Sequence, residues 1–339
     1  MIKRYFIPKK HSRFDLPKQY LTSLRSYDPN SRYSKLKGPL FVQIQTVDSC
    51  NASCLMCPYS IQKRKEQTNH MDDMLYTKIL TDLKKTGTVK VFSPMLQSEP
   101  LLDPHIVNRI RQAKNILGQD VVVGIVTNGS LLTPKLTQSL VEAGIDRIEI
   151  SIDAVDIATF KNVRPGISFS KVIDNTEKIL ALHSNVQVVV RFLIHAENMG
   201  QESEFKRYWR ARGADVLFTP VVNRAGFVTD FEKFKRSYSM FSFKHLKKGL
   251  WRLSVRFYLG IREPVLCVLP FSWLYILLDG RVVLCCHDWG PLDTVGNLQT
   301  QTVEQVWNGD KMNKYRHILW TGKYADSPVC RDCSVVNGM

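Results

Sequence analysis

Six apolar or β-branched runs recur along the middle of the chain: 41–47 (FVQIQTV), 89–93 (VKVFS), 121–126 (VVVGIV), 146–152 (DRIEISI), 186–194 (VQVVVRFLI) and 214–219 (ADVLFT). Continuous runs of this kind suit parallel strands buried on both faces. Helix-period segments lie between them, at 73–84, 104–117, 134–143, 169–182 and 202–212. In 104–117, Ile106, Val107, Ile110, Ala113 and Leu117 share one face behind Pro104, and 134–143 opens on Pro134 and stops at Gly144. Six β-α units with right-handed crossovers build either a doubly wound sheet or a partial or complete barrel, and the count falls short of the eight units of a closed one. Periodicity alone leaves that choice open.

The last part of the chain reads differently. Tyr275–Leu278 and Arg281–Leu284 flank Asp279-Gly280, which predicts a hairpin on a type I′ turn. A short helix around Val303–Trp307 and a cysteine-rich end follow. The reading divides the chain into a leader (1–40), a β-α body (41–223), an insert (224–262) and a small appended module (263–339).

Hydrophobic residues make up 44% and charged residues 23% of the 339, which is globular usage and excludes wholesale disorder. No stretch approaches the roughly 18 apolar residues of a membrane span, and the start, MIKRYFIPKKHSRF, has no apolar core of a secretory signal. A cytoplasmic location is expected, where cysteines stay reduced or bind metal. The formal charge of +16 is uneven: ten Lys/Arg face two Asp in 1–40, and ten face Asp230 and Glu232 in 224–262. Each segment carries +8, so the remainder is neutral. Within the second, Phe243, Leu246, Leu250, Leu253 and Phe257 recur at helical spacing among Lys244, Lys247, Lys248, Arg252 and Arg256. This is either an amphipathic helix packed on the body or, with Trp251, a peripheral membrane contact through 243–260 or a dock for an acidic partner. The pI of about 9.5 also raises nucleic acid as a partner, but no helix-turn-helix, RNP or zinc-finger pattern supports it.

All eight cysteines fall in two groups, Cys50, Cys54 and Cys57 after the first strand, then Cys267, Cys285, Cys286, Cys330 and Cys333 near the end. The first group has CxxxCxxC spacing on the loop leaving 41–47, and α/β sites form at such strand ends. Three thiolates so close can hold one face of a cubane cluster and leave the fourth iron open. A zinc site favours four ligands in paired knuckles, and disulfides do not suit a reducing compartment.

With that loop after a first strand and six β-α units behind it, the sequence resembles the radical S-adenosylmethionine (SAM) superfamily. The resemblance implies a partial (β/α)6 TIM-like barrel of α/β class, and it covers roughly residues 40–339. The family's glycine-rich segment after the second strand corresponds to Gln97-Ser98-Glu99-Pro100, which keeps Glu-Pro and loses both glycines. It implies Glu99, with Ser98, at the methionine amino group of SAM. Thr127-Asn128-Gly129 resembles the family's turn after the third strand, Ser151-Ile152-Asp153 its ribose-contacting segment, and Arg191 is a partner for the SAM carboxylate. Each has a plainer reading: Asn128 a turn former, Asp153 a helix cap, Arg191 a surface ion pair.

The terminal text from Cys267 through Asp279-Gly280, Cys285-Cys286, Gly296-Asn297 and Cys330-Arg331-Asp332-Cys333 resembles the SPASM/twitch extension. Five cysteines suffice for one auxiliary [4Fe–4S] cluster on Cys267, Cys285, Cys330 and Cys333, with Cys286 spare. Cys286 is then either a small buried hydrophobe or a hydrogen donor facing substrate. The family implies a 5′-deoxyadenosyl radical that abstracts hydrogen from an unactivated carbon. Dehydrogenation of a sugar- or cyclitol-like metabolite, phosphorylated and lipid-linked sugars included, comes first. Epimerization through Cys286 is second and peptide modification third. An acidic donor such as flavodoxin or ferredoxin would suit the basic chain.

Overall fold

The computed structural model describes residues 37–61, 68–182, 184–228, 230–235 and 267–337. Most of the leader and the 243–260 segment, with the membrane contact read there, lie outside the described residues.

The six apolar runs form β1 (Phe41–Ile44), β2 (Val91–Ser93), β3 (Val122–Thr127), β4 (Arg147–Ser151), β5 (Gln187–Ile194) and β6 (Asp215–Pro220). Each pairs in parallel with the next in sequence order. β6 ends the row on one side, so the barrel is partial. The strands are apolar on both faces because helices cover the outside. Among these are α1 (Asp73–Thr86), α2 (Ile106–Leu117), α3 (Pro134–Glu142), α4 (Ile157–Val163), α5 (Phe169–Ala181) and α6 (Glu202–Ala211).

Local chemistry sets the helix ends. The Asp72 carboxylate accepts the Leu75 N–H at 2.9 Å to start α1, and Thr133 and Ser168 cap α3 and α5 in the same way. Helix α2 begins two residues after Pro104, with His105 as its N-cap. Helix α4 has no counterpart in the periodicity. It is nucleated by Asp156, whose carboxylate accepts the Thr159 N–H at 2.8 Å.

The terminal module continues the same sheet. Strand β7 (Trp273–Ile276) pairs in parallel with β1, and β8 (Arg281–Val283) and β9 (Thr294–Asn297) follow antiparallel, giving nine strands in the order β6-β5-β4-β3-β2-β1-β7-β8-β9. The Phe41 and Trp273 rings stack at 4.5 Å across the joint. One continuous hydrophobic core runs from Ile148 and Val190 to Trp307, Tyr315 and Leu319 of α7 (Val303–Trp307) and α8 (Asp310–Thr321).

The hairpin departs from the type I′ expectation. That turn needs positive φ at both central residues, and here only Gly280 has it (φ 81°). The Gly280 N–H donates to the Leu277 carbonyl at 3.0 Å and the Leu277 N–H to the Arg281 carbonyl at 2.8 Å. The loop is therefore three residues long with glycine in its left-handed position, the bulged form that asks nothing unusual of Asp279. Among the described residues, no helix is long and apolar enough to cross a membrane.

Candidate active site

The cysteine loop leaves β1 and is fastened on two sides. Its backbone runs beside 163–165, with the Ser53 N–H donating to the Pro165 carbonyl at 2.7 Å and the Leu55 N–H to the Val163 carbonyl at 3.0 Å. A side chain at Gly166 would bring its Cβ to 3.1 Å from the Asn51 carbonyl oxygen, and its φ of 94° also favours glycine. On the other side, Asn51 Nδ2 donates to Ser130 Oγ at 2.9 Å and its Oδ1 accepts Asn128 Nδ2 at 2.8 Å. Sequence order hides this: Asn51 is 77 residues from Asn128.

All three thiols are free, Cys54 buried and Cys50 and Cys57 half-buried. Burial pushes the Cys50 thiol up to about 12 and that of Cys54 up to about 11. Such thiols are poor free thiolates, and a cationic iron cluster is the partner that makes them ionise. Three thiols on one loop fit a cubane, in which each thiolate binds a different iron and the fourth iron stays open, whereas a structural zinc site takes four ligands.

The segment after β2 closes on the same region. Gln97 adopts φ 56°, the left-handed conformation in which the family's glycine is at ease. Its Nε2 donates to the Asp288 carbonyl at 2.8 Å, which ties this segment to the terminal module. Ser98 is half-buried, and its hydroxyl donates to the Leu96 carbonyl. Glu99 is buried, and its N–H donates to the Ser49 carbonyl beside Cys50. Its Oε1 accepts the Thr127 hydroxyl at 2.6 Å and the Leu101 N–H at 3.1 Å, while Oε2 accepts the Asn128 N–H at 2.8 Å. Burial pushes its pKa up and these donors oppose that shift. Glu99, Thr127 and Asn128 thus form one cluster against the cysteine loop.

The later strands bring less to that point. Ser151 ends β4, half-buried, in register with Arg191 of β5. Arg191 Nη1 lies 3.5 Å from Glu149 Oε2, a buried carboxylate on β4. Asp153 is fully buried rather than presented to the barrel mouth. Its Oδ2 accepts Arg164 Nε at 2.9 Å and its Oδ1 the Leu193 N–H at 2.6 Å. Arg164 reaches the Asp153 carboxylate from the end of α4, a partner that the sequence reading of Asp153 as a ribose contact did not include.

In the terminal module, Cys267, Cys285, Cys330 and Cys333 line one cavity together with His287 and the apolar side chains of Leu284, Leu319 and Val329. Cys286 is not among its walls. Its thiol instead shares a hydrogen bond with Tyr275; burial pushes it up, with the Arg224 charge and that bond opposing. Burial pushes the imidazole of His287 down to about 3, so it is neutral at pH 7.

A turn at 223–226 joins the two cysteine groups. Arg224 (φ 50°) and Ala225 (φ 55°) both sit in the left-handed region, and the Gly226 N–H donates to the Asn223 carbonyl at 3.0 Å. Asn223 anchors the turn: its Oδ1 accepts the Ser334 N–H at 2.9 Å, and its Nδ2 donates to the Asp332 carbonyl. The Arg224 charge acts on Cys57, Cys286 and His287. Sequence reasoning missed Asn51, Gln97 as a tether, Arg164, Asn223 and Arg224. Only Arg164 left a trace, as the residue before Pro165-Gly166.

The family model described as the radical SAM superfamily matches residues 44–207, and that described as an iron–sulfur cluster-binding domain, SPASM, matches residues 267–334. The chain belongs to the radical SAM superfamily and carries a SPASM domain. It is accordingly a radical SAM enzyme whose class uses SAM and a [4Fe–4S] cluster, with further iron–sulfur binding in the terminal domain. An S-adenosyl-L-methionine-dependent 2-deoxy-scyllo-inosamine dehydrogenase of Niallia circulans is 21% identical over 87% of this chain and 93% of its own length. A tungsten-containing aldehyde ferredoxin oxidoreductase cofactor-modifying protein of Pyrococcus furiosus is 24% identical over 87% of each. A GTP 3′,8-cyclase of Limosilactobacillus fermentum is 28% identical over 52% of this chain and 53% of its own. Among solved structures, BtrN with AdoMet and 2-DOIA superposes with TM-score 0.57 at 19% identity, covering 87% of this chain and 92% of that one. SuiB of Streptococcus suis bound to precursor peptide SuiA gives 0.66 at 14%, covering 92% and 73%. These likenesses establish the fold.

Proposed function

We propose that this enzyme dehydrogenates a hydroxyl-bearing carbon of a small cyclitol- or sugar-like substrate, with one auxiliary [4Fe–4S] cluster as electron acceptor. The catalytic unit is read as 41–223 and the auxiliary module as 263–339. The observation that carries the reading is the single cavity walled by Cys267, Cys285, Cys330 and Cys333, with Cys286 outside it. Four cysteines match the ligand number of one [4Fe–4S] cluster. The match to the cyclitol dehydrogenase along nearly its whole length supports the substrate class.

Cys50, Cys54 and Cys57 would hold the catalytic cluster and Cys267, Cys285, Cys330 and Cys333 the auxiliary one; when bound, the first would supply the electron for reductive cleavage of SAM, and the second would accept the electron left over as the substrate alcohol, having lost its carbon-bound hydrogen and its hydroxyl proton, becomes a ketone. The chain's own part is orientation and exclusion of water. Glu99, already fixed by Thr127 and Asn128, offers its carboxylate for the SAM amino group. Ser98, Ser151 and Arg191 stand at neighbouring strand ends for the rest of SAM. Arg224, between the two cysteine groups and without an ion pair among the described residues, suits an anionic substituent such as a phosphate. The basic chain suits an acidic flavodoxin- or ferredoxin-like donor.

A second reading, epimerization, rests on Cys286, a protonated thiol outside the cavity. Turnover of an aminocyclitol in D2O separates the two. Dehydrogenation gives a ketone without solvent deuterium. A product of unchanged oxidation state, deuterated at one carbon and lost in Cys286→Ala, would replace the first reading with the second.

A further inference from the structure

Cys54 Sγ lies beside a buried cation, and that cation is paired with a carboxylate. Arg164, the residue after α4, places Nη1 3.5 Å from that sulfur while Nε and Nη2 hold Asp153 Oδ2. Both side chains are buried. Asp153 is fixed in turn by the Leu193 N–H on its Oδ1, and its carbonyl accepts Asn198 Nδ2 at 2.8 Å. Its backbone has φ 62°, the left-handed conformation that residues other than Gly, Asn and Asp rarely adopt. A conformation of this kind persists where the surroundings over-determine it and a site uses it. Here it aims the carboxylate at the guanidinium.

The choice of arginine is informative. A buried cation needs a paired anion, and Asp153 supplies it. A lysine ammonium could meet that need alone, but only the planar fork of arginine can hold the carboxylate on one edge and reach a thiolate with another nitrogen. The bond to sulfur is therefore something the Asp153 pairing does not require.

We propose that Arg164 is a positioning residue for the catalytic cluster, donating an N–H to the Cys54 thiolate ligand so that hydrogen bond and charge together favour the reduced cluster. Hydrogen bonds to ligating sulfurs and net local charge both set the potential of such clusters. Asp153 orients Arg164. The proposal rests on the reading that Cys50, Cys54 and Cys57 hold that cluster.

The test is an EPR-monitored redox titration of reconstituted wild type, Arg164→Gln and Arg164→Lys, following the reduced signal that responds to added SAM. With iron content unchanged, Arg164→Gln is expected to lower the reduced-to-oxidised ratio at fixed potential tenfold or more, about 59 mV for a one-electron couple. Arg164→Lys, keeping charge but not the fork, falls between. A wild-type potential in a loaded Gln variant overturns the proposal; if the Gln variant holds no iron, a wild-type potential in the Lys variant does so. Loss of the cluster from both variants with unchanged far-UV circular dichroism also overturns it, making the pair a scaffold for the loop. A wild type without any SAM-responsive signal overturns the cluster reading itself, and this one with it.

Discussion

Gln97 Nε2 donates to the backbone carbonyl of Asp288 at 2.8 Å, joining residues 191 positions apart. One residue from the segment after β2 thereby holds the loop that follows Cys285 and Cys286. Two effects oppose each other at this position. Gln97→Gly relieves left-handed strain worth about 1–2 kcal/mol but deletes a hydrogen bond worth about 1 kcal/mol. Gln97→Ala deletes the bond and keeps the strain. The alanine variant is expected to lose about 1 kcal/mol, and the glycine variant to match or exceed wild type. Denaturant midpoints at constant slope measure both.

The two adjacent cysteines behave differently in iron counting. Reconstituted protein with two cubanes holds about eight irons. Cys285→Ala, which removes a cavity wall, is expected to bring the count down toward about four, while Cys286→Ala leaves it near eight. Equal losses in the two variants would mean that the ligand assignment is reversed or shared.

Asp156 caps the helix that delivers Arg164. The Thr159 N–H, its strongest partner, lowers the Asp156 pKa below the ordinary carboxylate value. A lowered folded pKa gives stability that is present above about pH 4 and lost as pH falls through the folded value. Asp156→Ala is therefore expected to cost about 1 kcal/mol at pH 7, with the gap to wild type narrowing under acid. Thermal midpoints across pH show the convergence, and a gap independent of pH contradicts the capping role.

Arg224 acts on groups from both cysteine clusters. With a phosphorylated substrate, Arg224→Met is expected to raise KM about tenfold or more, the loss of a charge-assisted contact, while KM for SAM stays near wild type. A rise in KM for SAM instead would place SAM's carboxylate at Arg224.

The six strands, most helices, and both cysteine groups were legible because burial on two faces and thiol spacing are written locally. The choice of a partial barrel came from the family resemblance, not from periodicity. Helix α4 was not legible: Ile157–Val163 is too short for a helical period to emerge, and with it went Arg164 and its pairing with Asp153. The three-residue hairpin loop escaped because Asp-Gly serves two turn types, which differ in the backbone of Leu278 and Asp279 but share a left-handed Gly280. Asn51, Gln97 and Asn223 are polar residues of ordinary loop composition, and their roles depend on contacts 77 to 191 positions away.

The most direct test of the central claim is anaerobic turnover with SAM, a strong reductant and an aminocyclitol or its phosphate, followed by mass spectrometry. The expected result is 5′-deoxyadenosine formed together with a ketone lighter than the substrate by H2. No cleavage of SAM by fully loaded protein under strong reduction, or cleavage that yields a product of unchanged mass, would contradict it.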